Sequence, residues 1–157
     1  MMKVTKKADY GLIALKHLTL YGRVGSVSAK DIADAYGIPL PLLAKVLQKL
    51  ARHGFLQSHH GTRGGYLLAR DPSTITALEI IRLFDGPVML TSCVTPRGEC
   101  DHTERCNVRE PLRRVQESIL QLLRSITITE LAKDELAAAQ PPCQPPPAAA
   151  SSVLQVL

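Results

Sequence analysis

Between Ser28 and Ala69 the chain carries four patterns in unbroken order: a short helix, a glycine-containing turn, a second amphipathic helix and a Gly-rich hairpin. Ser28 followed three residues later by Asp31 is a capping-box start, Ile32, Ala33 and Tyr36 supply a short apolar face, and Gly37 stops it. The chain turns through Ile38 and Pro39. Leu40, Leu43, Val46, Leu47 and Leu50 then form an apolar stripe ending at Gly54. Two such helices across so short a turn have the spacing of a helix-turn-helix. Residues 55–60 read as a strand, Gly61, Thr62, Arg63, Gly64 and Gly65 as a tight turn, and residues 66–69 as the returning strand. A helix-turn-helix followed by such a hairpin is a winged helix. The predicted class is therefore mainly α with a small β-hairpin.

Helical periodicity also covers residues 5–21 ahead of this unit. After it, Asp71 and Pro72 close the wing, and Thr76 with Glu79 caps a fourth helix through Phe84. Residues 85–109 mix Gly86, Pro87, Pro96 and Gly98 with three cysteines, which predicts a loop built around a ligand rather than a regular element. From Glu110, the residues Leu112, Val115, Ile119, Leu122 and Ile126 recur with a period near 3.5. A stripe of that period needs a partner helix, and with so small a domain to cover, self-pairing into a homodimer is favoured over packing on its own domain. A shorter helix is predicted from Thr129 to about Ala139. Residues 140–157 form a Pro/Ala-rich low-complexity tail with no assigned fold. The expected organisation is 1–84 DNA-binding domain, 85–109 cysteine loop, 110–139 dimerisation and C-terminal helices, and 140–157 tail.

Charge supports a polyanion partner for the first half. Residues 1–72 carry eleven Lys and Arg against four Asp, a local +7, whereas residues 73–157 carry a local −2. In a helix-turn-helix the second helix enters the major groove, and there only Lys45, Gln48 and Lys49 have polar reach, so phosphate contacts should dominate affinity. The wing offers His60, Thr62 and Arg63, with Arg63 suited to a narrow minor groove. Lys3, Lys6 and Lys7 are further phosphate candidates. No stretch approaches the roughly 20 apolar residues of a membrane span, and the opening Met1, Met2, Lys3 does not lead into an apolar signal core. A cytoplasmic protein without membrane contact is expected, and no nucleophile with an oriented base suggests an enzyme.

Three of the four cysteines, Cys93, Cys100 and Cys106, fall within fourteen residues, separated by six and five. Without an export signal, such clustering favours metal or redox chemistry over structural disulfides. Three thiolates suit an iron-sulfur cluster or tetrahedral zinc, and the absence of a closely paired ligand motif favours the cluster. A thiol-disulfide switch, a zinc site, inert thiols and a cluster-carrying redox protein are the alternatives, the last leaving the winged helix without a use. Cys143, alone in the tail, is assigned no ligand role.

The Asp9-Tyr10-Gly11 opening, the helix-turn-helix, the wing ending in Gly64-Gly65-Tyr66-Leu67-Leu68, and a three-cysteine loop before a long helix together resemble the Rrf family of winged-helix regulators over about residues 2–138. The resemblance implies a homodimer on a palindromic operator. It also implies a 2Fe-2S or 4Fe-4S cluster on the three cysteines that senses iron-sulfur, redox or nitric oxide status, most often in a repressor. Members of one branch take their fourth ligand from a histidine three residues after the last cysteine, where this chain has Arg109, which cannot ligate iron. Another branch uses an aspartate early in the first helix of the other subunit, and Asp9 stands at the matching place. Asp9 in trans is the preferred fourth ligand, with His102 and Glu104 as local alternatives. Pro41 and Ala44 replace polar residues of the first branch, so its operator sequence does not transfer.

Overall fold

The computed structural model describes residues 3–61, 64–91 and 105–138. Along the chain run α1 (Lys6–Tyr21), α2 (Ala29–Tyr36), α3 (Leu40–Arg52), β1 (Leu56–His59), β2 (Gly65–Leu68), a 3-10 turn (Pro72–Thr74), α4 (Ala77–Asp85), α5 (Arg109–Ser125) and α6 (Ile128–Ala138). The fold is mainly helical with one antiparallel hairpin, as the periodicities predict.

Local chemistry fixes the helix boundaries. Ser28 Oγ accepts the Asp31 N–H at 3.1 Å while the Asp31 carboxylate accepts the Ser28 N–H at 3.2 Å and its hydroxyl at 2.7 Å. The hydroxyl bond holds Asp31 below the ordinary carboxylate range. Gly37 closes α2 in the left-handed region at φ 62°, where a side chain would be strained. Thr76 and Glu79 repeat the reciprocal cap at α4. At α1 the Thr5 N–H instead donates to Asp85 Oδ2 at 2.9 Å and the Thr5 hydroxyl to Oδ1, tying the first turn of α1 to the last residue of α4. A third reciprocal cap, Thr127 with Glu130, starts α6. It places the helix one residue earlier than the predicted Thr129.

The core is shared by all three N-terminal helices and two later ones. Leu15, Leu18, Ile32, Leu43, Leu47, Leu50, Ile75, Ile80 and Ile128 are fully buried. Gly11 lets α4 approach α1, since a Cβ there would lie 2.8 Å from Phe84 Cε2 and 3.3 Å from Ile80 Cγ2. Residues 75–77 and 126–128 pair through Ile128 N–H to Ile75 O at 3.0 Å and Ala77 N–H to Ile126 O at 2.9 Å, which brings α6 back against α1.

The hairpin registers Leu56 with Leu68 and His59 with Gly65. The first strand is shorter than predicted and the second is shifted one residue earlier: Phe55 and Ala69 keep one bond, Ala69 N–H to Phe55 O at 3.0 Å, and His60 lies beyond the ladder. The wing also pairs backward, Tyr66 donating to Val27 O at 2.8 Å and Val27 donating to Tyr66 O at 3.1 Å. That backward pairing accounts for Gly65, and the hairpin's own turn accounts for Gly64. A Cβ on Gly65 would sit 2.5 Å from Val27 O, and one on Gly64 would sit 2.8 Å from His59 O. Both obstacles are backbone and cannot swing aside. Gly65→Ala is therefore expected to cost roughly 2 kcal/mol or more and to lower the urea midpoint; an unchanged midpoint would refute this packing.

Candidate DNA-binding surface and cysteine centre

Burial divides α3 into two faces. Leu43, Val46, Leu47 and Leu50 are buried, which at 100° per residue turns Pro41, Ala44, Lys45, Gln48 and Arg52 to the opposite side. Pro41, Lys45, Gln48 and Arg52 are exposed and Ala44 is half-buried. This is the face a helix-turn-helix lays in the major groove.

Of the predicted DNA contacts, Lys7, Lys45 and Lys49 meet around a shallow cleft of about 170 Å³ that Leu42, Val46 and Phe84 complete. Lys49 is half-buried, with its ammonium 5.0 Å from the Phe84 ring centroid, so part of its charge is engaged within the fold. Lys45 and Gln48 stay free of such contacts and exposed. Lys6 is exposed on α1, and His60 is exposed just past β1. Lys3 stands elsewhere, on a cleft of about 250 Å³ with Val4, Ile81, Asp85, Val88 and Leu123. Thr62 and Arg63 lie outside the described residues.

Of the candidate cysteine centre, the described residues include only the chain on either side of residues 92–104. At the exit, Cys106 is a free, half-buried thiol three residues before the first residue of α5. At the lead-in, the buried side chain of Gln116 on α5 accepts the Leu90 N–H at 2.6 Å and donates to the Val88 carbonyl. Periodicity gave no sign of this residue, which falls between the apolar positions of the stripe. Among the described residues Gln116 is the one buried polar side chain, and both halves of its amide are satisfied. Segment 88–90 is thus bound to the helix that Cys106 precedes.

Asp9 is exposed in the first turn of α1, and its carboxylate makes no hydrogen bond or ion pair among the described residues. Arg109 begins α5 and is exposed. Cys93, Cys100, His102, Glu104 and Cys143 lie outside the described residues. Within those residues no three His, Cys, Asp or Glu side chains stand together. The donor chemistry fits a cluster where it can be inspected: Cys106 is a half-buried thiol outside any disulfide, and Asp9 is an uncommitted oxygen donor.

The apolar band of α5 is wider than the predicted stripe. Leu120 and Leu123 pack with Leu78, Ile81 and Val88 and seat the helix on α4. Beside them Leu112 and Ile119 are half-buried, Val115 is 47% exposed and Leu122 is 61% exposed. Ile126 follows the last helical residue as the extended C-cap of α5, and its backbone carbonyl accepts the Ala77 N–H. The Glu110, Arg113 and Glu117 ladder occupies the solvent side.

A family model described as "Rrf2: Iron-dependent Transcriptional regulator" matches residues 4–134. The chain belongs to the Rrf2 family. It is 34% identical over 134 residues to the HTH-type transcriptional regulator IscR of Xenorhabdus nematophila, a match covering 85% of this chain and 81% of that protein. The corresponding IscR of Klebsiella pneumoniae is 31% identical, with 85% and 82% covered. Among solved structures, CymR (YrzC), the global cysteine regulator of B. subtilis, aligns with a TM-score of 0.74 and 30% identity over 85% of this chain and 98% of that one. T. potens IscR aligns with a TM-score of 0.69 and 31% identity over 89% and 93%. This Rrf2 protein is a DNA-binding transcriptional regulator of winged-helix fold. Among its described residues no helix is long and apolar enough to cross a membrane.

Proposed function

We propose that this regulator acts as a homodimeric repressor whose operator affinity is set by an iron-sulfur cluster on Cys93, Cys100 and Cys106, with Asp9 of the partner subunit as fourth ligand. The observation that carries the reading is the free thiol of Cys106 at the head of α5, the third thiolate of a set confined to fourteen residues. The names of the IscR relatives support a shared regulatory role.

When bound, the cluster supplies iron-thiolate bonds that cross-brace the loop and that respond to oxidation, nitric oxide or iron loss. The chain's own residues transmit that state. Gln116 fixes segment 88–90 to the middle of α5, and Cys106 precedes the start of the same helix by three residues, so a braced loop restrains the N-terminal half of α5 at two points. Leu112, Val115, Ile119 and Leu122 give α5 an apolar face for its twin, beside the half already seated on α4. Movement of α5 therefore changes the separation of the two α3 helices, which a palindrome requires at about 34 Å. An Asp9 carboxylate reaching the other subunit's loop adds a direct tie to α1, on which α3 and α4 also pack.

Iron and acid-labile sulfide in the protein purified under nitrogen test the reading. Both should be present, in similar amounts; zinc without sulfide, or no metal with a reversible disulfide, would overturn it. For the DNA surface, Lys45→Ala is expected to weaken binding similarly across sequences and to reduce the salt slope by about 1. A slope unchanged from wild type would remove Lys45 from the phosphate contacts.

A further inference from the structure

The outward face of α3 begins without a single side-chain hydrogen-bonding group. Pro41 and Ala44 occupy its first turns, and Pro41 lacks even a backbone N–H. Leu40, at the edge of the same face, is 42% exposed, an apolar side chain that the fold leaves uncovered. Polar reach starts at Lys45, one turn beyond Pro41 and next to Ala44 in the chain, and continues at Gln48. The N-terminal turns of a recognition helix are the part that meets base edges.

Pressing these carbons against guanine, cytosine or adenine would strip water from base nitrogens and oxygens and return no hydrogen bond. Thymine differs, because its major-groove edge carries a C5-methyl group. We infer that Pro41 and Ala44, flanked by Leu40, read thymine methyl groups, so that this part of each half-site is specified by apolar contact rather than by hydrogen bonding. The inference rests on the DNA-binding reading and extends it to the chemistry of specificity.

Uracil in place of thymine tests it, since that change removes the methyl and leaves base pairing intact. Duplexes selected by the full-length protein from a random-sequence pool should carry thymine at the half-site positions facing the start of α3. Replacing each by deoxyuridine should weaken binding about fourfold per contacted methyl, in keeping with the transfer of one apolar carbon. In Ala44→Ser or Pro41→Ser the thymine preference should fall at one position while binding to the rest of the site persists. Equal affinity for thymine and uracil duplexes would overturn the inference, as would a uracil penalty that survives unchanged in both variants. Failure to select any duplex would instead strike the DNA-binding reading beneath it.

Discussion

Replacing Cys106 with alanine is expected to abolish the visible absorption of the anaerobically purified protein while leaving its far-UV circular dichroism unchanged. The first half follows from ligand count: with the proposed set of three thiolates and one oxygen donor, removing a thiolate would leave too few soft ligands to retain iron and sulfide. The second half follows from position. Cys106 is half-buried and precedes α5 rather than lying within it, so truncating its side chain removes little packing. Cys93→Ala and Cys100→Ala should behave alike. A full spectrum in any of the three would remove that cysteine from the centre.

Gln116→Ala is expected to lower stability by about 3 kcal/mol, read as a lower midpoint in urea. Its amide satisfies the Leu90 N–H and the Val88 carbonyl beneath α5, and alanine would leave two backbone groups unpaired, each costing about 1–3 kcal/mol when buried. Gln116→Leu separates hydrogen bonding from volume. It fills the space without serving either group, so it should lose nearly as much as alanine. Recovery by leucine would show that the residue acts by packing alone. Because the same amide anchors the lead-in to the cysteine loop, both variants are also expected to lose visible absorption faster in air than wild type.

The helix-turn-helix is legible in the sequence because its signals are local. The Ser28 and Asp31 box, the Gly37 stop and the Leu43, Val46, Leu47 and Leu50 stripe each act within one or two turns. Thr127 and Glu130 carry the same signal, and their box sets the start of α6 before the predicted Thr129. Features that depend on distant partners are not legible in this way. Gly64 and Gly65 read as a turn, yet the spatial demand on Gly65 comes from Val27, far back in the chain. Gln116 looks like an ordinary polar helix position until the Val88 and Leu90 backbone lies under it. The α5 stripe is periodic, but no period reveals that Leu120 and Leu123 belong to α4, or that the Ile126 carbonyl accepts the Ala77 N–H. Lys49 shares the sign and reach of Lys45, and only Phe84 sets them apart.

The most direct test is one anaerobic titration of a fluorescent operator duplex with a single preparation, before and after chelation of its iron. Affinity is expected to change by at least about tenfold, equivalent to about 1.4 kcal/mol, as the loop loses its brace on α5. The same affinity in both states, with the iron shown to have been present and then removed, would contradict control of DNA binding by the centre on Cys93, Cys100 and Cys106.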